Sequence, residues 1–274
     1  MGFTVTVVIP TVGRSSLEKS IRSALDQTVS VERILIVDDS PTQDTLVSAD
    51  PRVQVIHTGG IKGPAYSRNV GIGMSKSHWI AFLDDDDFWL PTHIEKILNF
   101  CSAKNLDAAY SSAIVNGHIR PDELYEGKMN PLKQIYRSKK WRKTKLYLPT
   151  PGLIVSRNVV AHLPFNNNIF EREDLWFAHK LYEYQFKFAQ SSDATAVINQ
   201  NSIRSITRTS IESDFSWAER LELIDSSARD NFLKGVAFRN AFIRKDWRGM
   251  QKIARLYPSE NFLFRLLSIF KPIK

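Results

Sequence analysis

WIAFLDDDDFWLP, residues 79–91, sets an apolar run of strand length directly against four adjacent carboxylates, Asp84, Asp85, Asp86 and Asp87. Neighbouring carboxylates repel one another, and burying one unpaired is costly. One reading is a solvated turn ahead of a helix opened by Pro91, with Asp87 favourable near the helix N-terminus. The other is a hard-cation site at the carboxyl end of a buried strand. There Mg2+ or Mn2+ takes one or two carboxylates and fills its remaining positions with water and substrate phosphate. A site that supplies so few ligands of its own points to a phosphorylated substrate.

The surrounding sequence alternates between strand and helix periods. Thr4–Thr11 is a β-rich run, and Ser15 to Glu18 reads as a capping box opening a helix to about Leu25. Val31–Asp39 is a second strand, ending in Asp38 and Asp39. Val53–Thr58 is a third, followed by Gly59-Gly60 and a helix with Pro64 at its first position. His78–Leu83 is the fourth, the helix opened by Pro91 carries Ile94, Ile97 and Leu98, and Asp107–Val115 is the fifth strand. Such spacing predicts βαβ units and a mostly parallel sheet. Ligands of these sheets bind beyond the carboxyl ends of the strands, where Pro10-Thr11, Asp38-Asp39 and the aspartate run all fall. Residues 116–151 read as an irregular, basic excursion. Gly152–Arg157 is then a strand, Arg172–Phe186 a helix and Ala194–Gln200 a strand, and the sequence turns helical after about Ser213. The fold class is therefore α/β: a mostly parallel sheet flanked by helices over 1–212, with a helical extension at 213–274.

Composition narrows the classes further. Of the 274 residues 43% are hydrophobic, enough for a sizeable core and too many for global disorder. Cys101 is the single cysteine, which excludes an intrachain disulfide and a cysteine-based zinc site and suits a reducing cytosol. The N-terminal run reads as a strand rather than a signal peptide, and no uncharged apolar run approaches the roughly 20 residues that span a bilayer. The net charge of +8 is uneven. Leu233–Lys274 holds ten basic residues against Asp246 and Glu260, and the rest of the chain is neutral overall. A second basic cluster runs from Arg137 to Lys145 around Trp141. A neutral body with a basic tail argues against a nucleic-acid partner gripped by one large positive face.

Five motifs in order resemble those of a family-two glycosyltransferase of the GT-A, Rossmann-like fold. They are TVVIPTVGR (6–14), ILIVDDS (34–40), GPAYSRNVGI (63–72), WIAFLDDDDFWLP (79–91), which is similar to the family's DxD motif, and Glu173-Asp174-Leu175, similar to its ED motif. The resemblance covers roughly residues 1–200. It implies an inverting hexosyl- or N-acetylhexosaminyltransferase that draws on a nucleotide-diphospho-sugar, by family habit a UDP-sugar, with Mn2+ or Mg2+. The acceptor would be a glycan or lipid-linked sugar of bacterial cell-surface polysaccharide or lipopolysaccharide. About 1–115 would be the nucleotide-sugar half and 116–212 the acceptor half. By the same resemblance Pro10, Thr11 and Arg14 lie at the nucleotide. Asp39, with Asp38, accepts from the base, and Arg68 reaches base or diphosphate. Asp86 is the metal ligand, with Asp84 and Asp85 on ribose or metal-bound water. Asp174 is the catalytic base, Glu173 is substrate-binding on a different helix face, and Arg204, with Arg208, approaches the diphosphate.

Two other functions are weighed against this. A sugar-1-phosphate nucleotidyltransferase shares the sheet and the metal, but its first strand should lead into a glycine-rich phosphate loop, and PTVGR follows instead. A non-catalytic membrane or nucleic-acid module would use the basic tail and leave three acidic strand ends unexplained. The six histidines show no metal-ligand spacing. Trp89 and Trp176 follow the two key motifs and are candidates either for the core or for stacking on a sugar. Leu263, Leu266, Leu267 and Phe270 share a helical face among basic residues, which suits core packing or an anionic membrane interface equally. The expected location is cytoplasmic, with the tail open to peripheral contact with the inner face of the cell membrane.

Overall fold

β1 (Val5–Thr11) is apolar on both faces, and such a run is stable only inside a sheet covered on both sides. In the computed structural model, which describes residues 3–42, 48–137, 146–169, 171–199 and 209–258, it is a central strand. β1 pairs in parallel with β2 (Arg33–Asp38), β2 with β3 (Val53–His57), and β1 on its other side with β4 (Trp79–Phe82). The strand order therefore reverses between β1 and β4, which opens a crevice at their carboxyl ends. Pro10, lacking an N–H, stands where β1 has outrun β4, whose register ends at Val8↔Phe82.

Helices α1 (Leu17–Leu25), α2 (Pro64–Met74) and α3 (His93–Lys104) complete the first half. Leu17 and Ile21 of α1 and Ile94 and Ile97 of α3 join Val7, Ile9, Ile34, Ile36 and Leu83 in one core cluster. The predicted capping box does not form. α1 starts at Leu17 with Ser16 at its N-cap and no side-chain cap, because Glu18 pairs with Arg22 one turn on. α3 likewise opens at His93 rather than at Pro91, since β5 (Phe88–Trp89) and a turn come first.

Beyond β4 the sheet becomes mixed. β6 (Ala108–Val115) carries β7 (His118–Arg120) antiparallel at its end, and β8 (Leu153–Ser156) runs antiparallel to both β4 and β6. β9 (Phe188–Ile198) is parallel to β6 and antiparallel to β5. β9 begins well before the predicted Ala194. Its polar stretch QSSDAT hides the period, and its register against β6 shifts around Ser112, whose hydroxyl donates to the Ser191 carbonyl. The excursion 116–151 contains β7 and α4 (Pro131–Tyr136). α5 (Arg157–His162) and α6 (Glu173–Glu183) complete the elements of this half.

The chain divides into two compact units, Met1–Gln134 with Lys145–Gln200, and Ile135–Thr144 with Asn201–Lys274. In the second, α7 (Ile211–Glu222), α8 (Ser226–Asn231), α9 (Phe238–Ile243) and α10 (Trp247–Arg255) pack around Trp217, Leu221, Phe232, Phe238 and Ile253, with a π-helical turn joining α8 to α9. Ser210, Asp225 and Asp246 cap helix N-termini through their side chains. No described helix is long and apolar enough to cross a membrane. The apolar tail face at 263–270 lies outside the described residues, as does most of the Arg137–Lys145 cluster.

α2 lies so close to β1 that a Cβ on Gly71 would come inside 3.0 Å of both Val8 methyl carbons, on a stiff β-branched side chain, whereas Gly73 faces open space. Gly71→Ala should therefore lower the urea-unfolding free energy by about 1–3 kcal/mol. Gly73→Ala should leave it unchanged or raise it by up to about 1 kcal/mol. Equal effects at the two positions would contradict this packing.

Candidate active site

The crevice between β1 and β4 is walled by hydroxyl and carboxylate groups that the strand ends deliver. Thr11 donates its hydroxyl to Asp85 Oδ2 at 2.6 Å and itself accepts from the Gly13 N–H at 3.0 Å. The Arg14 guanidinium donates to the other Asp85 oxygen and lies 3.4 Å from Asp86 Oδ2. The aspartate run turns after β4, with the Asp87 N–H donating to the Asp84 carbonyl, and the turn sorts the four side chains. Asp85 is 2% and Asp87 5% exposed, whereas the side chains of Asp84 and Asp86 are 33% and 47% exposed. Asp85 was expected at ribose or metal-bound water; instead both its oxygens are taken by Thr11 and Arg14. Burial raises its pKa against those two partners. Asp87 accepts from the Asn199 N–H at 2.9 Å, and burial, reinforced by Asp84, pushes it up to about 8.

Asp84 and Asp86 are thus the carboxylates of the run that remain open. They are hard oxygen donors of the kind Mg2+ or Mn2+ takes one or two at a time, so the donor set fits such an ion. Among the described residues no group of three or more His, Cys, Asp or Glu side chains is placed to hold a metal together.

Across from the aspartate turn, Glu173 and Asp174 form the first turn of α6, entered through Arg172 in the left-handed conformation (φ 64°). Phe177 of the same helix stacks on Phe165 at 4.3 Å, and Phe165 meets Phe82 of β4 edge-on at 5.3 Å. Asn69 clamps the Phe165 backbone, donating to its carbonyl at 2.8 Å and accepting from its N–H at 2.9 Å. This aromatic stack brings the α6 N-terminus to β4. Asp174 is pushed up to about 7, by burial first and by the neighbouring Glu173 charge second. Tyr110 and Tyr147 are raised as well, by burial and then by Asp174, so both hydroxyls share the field of that carboxylate.

Arg68, expected at the base or diphosphate, is 3% exposed, and its two terminal nitrogens donate to Glu173 and Asp84. Glu173, expected at the substrate, is 9% exposed and turned to Arg68. Asp38 is fully buried, accepting from the Ser40 N–H at 2.8 Å and facing His57 Nδ1 at 3.1 Å. Asp39 organises the next loop. It accepts from the Thr58 hydroxyl and from the Lys62 and Gly63 N–H groups, the last two at 2.7 Å. Trp89 is core rather than a stacking surface, being 2% exposed with its indole N–H on the Pro151 carbonyl at 2.6 Å. Trp176 is half-buried under Lys180. His179 is buried against Asn130 and Glu183, and Cys101 is buried. Arg204 and Arg208 lie outside the described residues. Sequence reasoning missed Asn69, Tyr110, Tyr147 and Phe165; of these only Asn69, beside Arg68 in its motif, carried a signal.

The comparisons with known proteins agree with this architecture. S. aureus TarS, residues 1–349 in complex with UDP, superposes with a TM-score of 0.57 over 93% of this chain and 91% of its own, at 16% identity. The Escherichia coli protein WfaP, a UDP-Glc:alpha-D-GlcNAc-diphosphoundecaprenol beta-1,3-glucosyltransferase, is 34% identical over 103 residues, which are 36% of this chain and 41% of that protein. The succinoglycan biosynthesis protein ExoO of Rhizobium meliloti is 35% identical over 98 residues, covering 34% of this chain and 28% of its own. The chain thus spans less than half the length of these two relatives. The sequence profile of glycosyl transferase family 2 matches residues 6–163, more than half of the chain and all of its crevice-forming strand ends, and the chain belongs to that family.

Proposed function

We propose that this chain is an inverting glycosyltransferase. It moves a hexosyl or N-acetylhexosaminyl group from a UDP-sugar to a hydroxyl of a glycan or lipid-linked acceptor, in the assembly of cell-surface polysaccharide or lipopolysaccharide. One observation carries the reading: Asp84 and Asp86 are the solvent-accessible carboxylates after β4, and Arg68 ties Asp84 to Glu173, the helix neighbour of Asp174, whose own pKa is pushed up to about 7 by desolvation and by Glu173. Family membership supports the reaction class. UDP in the TarS structure and UDP-Glc and a diphosphoundecaprenol-linked sugar in the name of WfaP support the donor and acceptor classes.

The residues divide the work as follows. Asp86, with Asp84 nearby, would hold Mn2+ or Mg2+, which when bound would stabilise negative charge on the leaving diphosphate. Thr11 and the Pro10 backbone floor the nucleotide site. Arg14, 39% exposed, keeps donors in reserve for the diphosphate. Asp39 uses three of about four carboxylate acceptor sites on its own loop, which leaves one on Oδ1 for a uracil N3–H. Asp174 takes the acceptor hydroxyl proton as that oxygen bonds to the sugar C1 and the C1–oxygen bond to the diphosphate breaks on the opposite face. The glycosyltransferase domain is assigned to 1–212 and a basic helical extension to 213–274. The tail's charge suits peripheral contact with an anionic membrane.

UDP release from UDP-glucose or UDP-N-acetylglucosamine measures the chemistry. Asp174→Asn should lower kcat by about 100-fold or more with UDP affinity preserved; full activity would remove Asp174 as the base. Asp86→Ala should weaken Mn2+-dependent UDP binding as well as turnover. Because a base must be unprotonated, kcat in the native enzyme should rise with pH through about 7 and then level off. A profile flat from pH 5 to 9 (about two units either side) would contradict the assignment.

A further inference from the structure

A single guanidinium joins the donor and acceptor sides of the crevice. Arg68 of α2 donates from Nη1 to Glu173 Oε1 at 2.6 Å and from Nη2 to Asp84 Oδ1 at 2.9 Å, partners 105 and 16 residues further along the chain. The Arg68 side chain is 4% exposed and that of Glu173 11%, and the Phe165 ring lies beneath the guanidinium at 5.4 Å. Burial works against the Arg68 charge, but Asp84 and Glu173 outweigh it and keep the guanidinium protonated.

The geometry bears on what each group does. A planar fork with both ends occupied fixes direction as well as distance, which a lysine ammonium does not. Glu173 and Asp174 are neighbours on one helix turn and face apart, so holding Glu173 in one direction sets the direction of Asp174. At the other end the fork holds Asp84, the first open carboxylate of the turn that presents Asp86.

We propose that Arg68 and Glu173 are a positioning pair. They touch neither sugar nor nucleotide, and together they tie the Asp84–Asp87 turn to the first turn of α6, so that the base Asp174 stands at a fixed place relative to the bound donor. The proposal rests on the glycosyltransferase reading above. It gives Glu173 a role distinct from that of its neighbour: Asp174 exchanges the proton, and Glu173 aims it through Arg68. Misplacement of a catalytic group by about 1 Å costs on the order of 100-fold in rate while leaving ground-state binding intact.

The test is Glu173→Gln in the full chain, which keeps the shape and one hydrogen bond while removing the charge. Three quantities are compared with the native protein: UDP affinity by calorimetry with Mn2+, KM and kcat for UDP release from UDP-glucose or UDP-N-acetylglucosamine, and the melting temperature. The expected result is a kcat lowered by about 100-fold, with KM and UDP affinity within about threefold of native. Arg68→Lys should give the same split, and it decides the matter if Glu173→Gln does not fold. A KM raised by about tenfold or more at unchanged kcat would mean that Glu173 touches substrate, and would overturn the proposal. Unchanged kcat and KM with only a lowered melting temperature would reduce the bridge to a structural contact and overturn it as well. Native protein that neither binds UDP nor releases it from either sugar would instead remove the glycosyltransferase reading itself.

Discussion

Negative charge crowded into one crevice is the constraint to which the rest of the structure answers. Asp84 to Asp87 leave β4 together, and α6 brings Glu173 and Asp174 to the same place. Two guanidinium groups and a turn make this tolerable. Arg14 takes Asp85 and lies near Asp86, while Arg68 takes Asp84 and Glu173. Asp87 is turned inward and its pKa rises. What is left is two solvent-accessible carboxylates, Asp84 and Asp86, and one half-buried carboxyl, Asp174, whose pKa is pushed up by desolvation and by Glu173.

The sheet explains why the charges meet where they do. Parallel strands present all their carboxyl ends on one edge, and the reversal of order between β1 and β4 parts the covering helices at that edge. Thr11 and the aspartate turn are neighbours for that reason, and so are Thr11 and Asp39, whose N–H donates to the Thr11 carbonyl at 2.8 Å. The α6 side has a different origin. Beyond β4 only β8 reverses direction, lying antiparallel between β4 and β6, and the Phe82–Phe165–Phe177 stack anchors α6 across the edge. Entry to α6 through a left-handed Arg172 costs about 1–3 kcal/mol in a non-glycine residue, a strain that aligns the helix start with the crevice.

Much of this was legible in the sequence, for identifiable reasons. Continuous apolar runs that end in polar residues located β1, β2 and β4 and the edge where ligands bind, since burial on both faces leaves no other pattern. Three features resisted. The register within the aspartate run depends on the turn at Asp85-Asp86, which sorts alternate side chains in and out, and no periodicity encodes that. The direction of Arg68 depends on which helix face packs on β1, so its contacts with Glu173 and Asp84 could not be read from its motif. The polar stretch of β9 is a strand because β6 pairs with it, a tertiary fact that overrides its composition. Tyr110 and Tyr147, drawn into the field of Asp174, carried no local signal at all.

The central claim is that the crevice beyond β1 and β4 binds a nucleoside diphosphate through a divalent cation. Calorimetric titration of the purified chain with UDP, with and without Mn2+ and with GDP as the comparison, tests it most directly. The account predicts micromolar UDP binding that is lost without the metal and weaker binding of GDP. Absence of binding to either nucleotide in the presence of Mn2+ would contradict it.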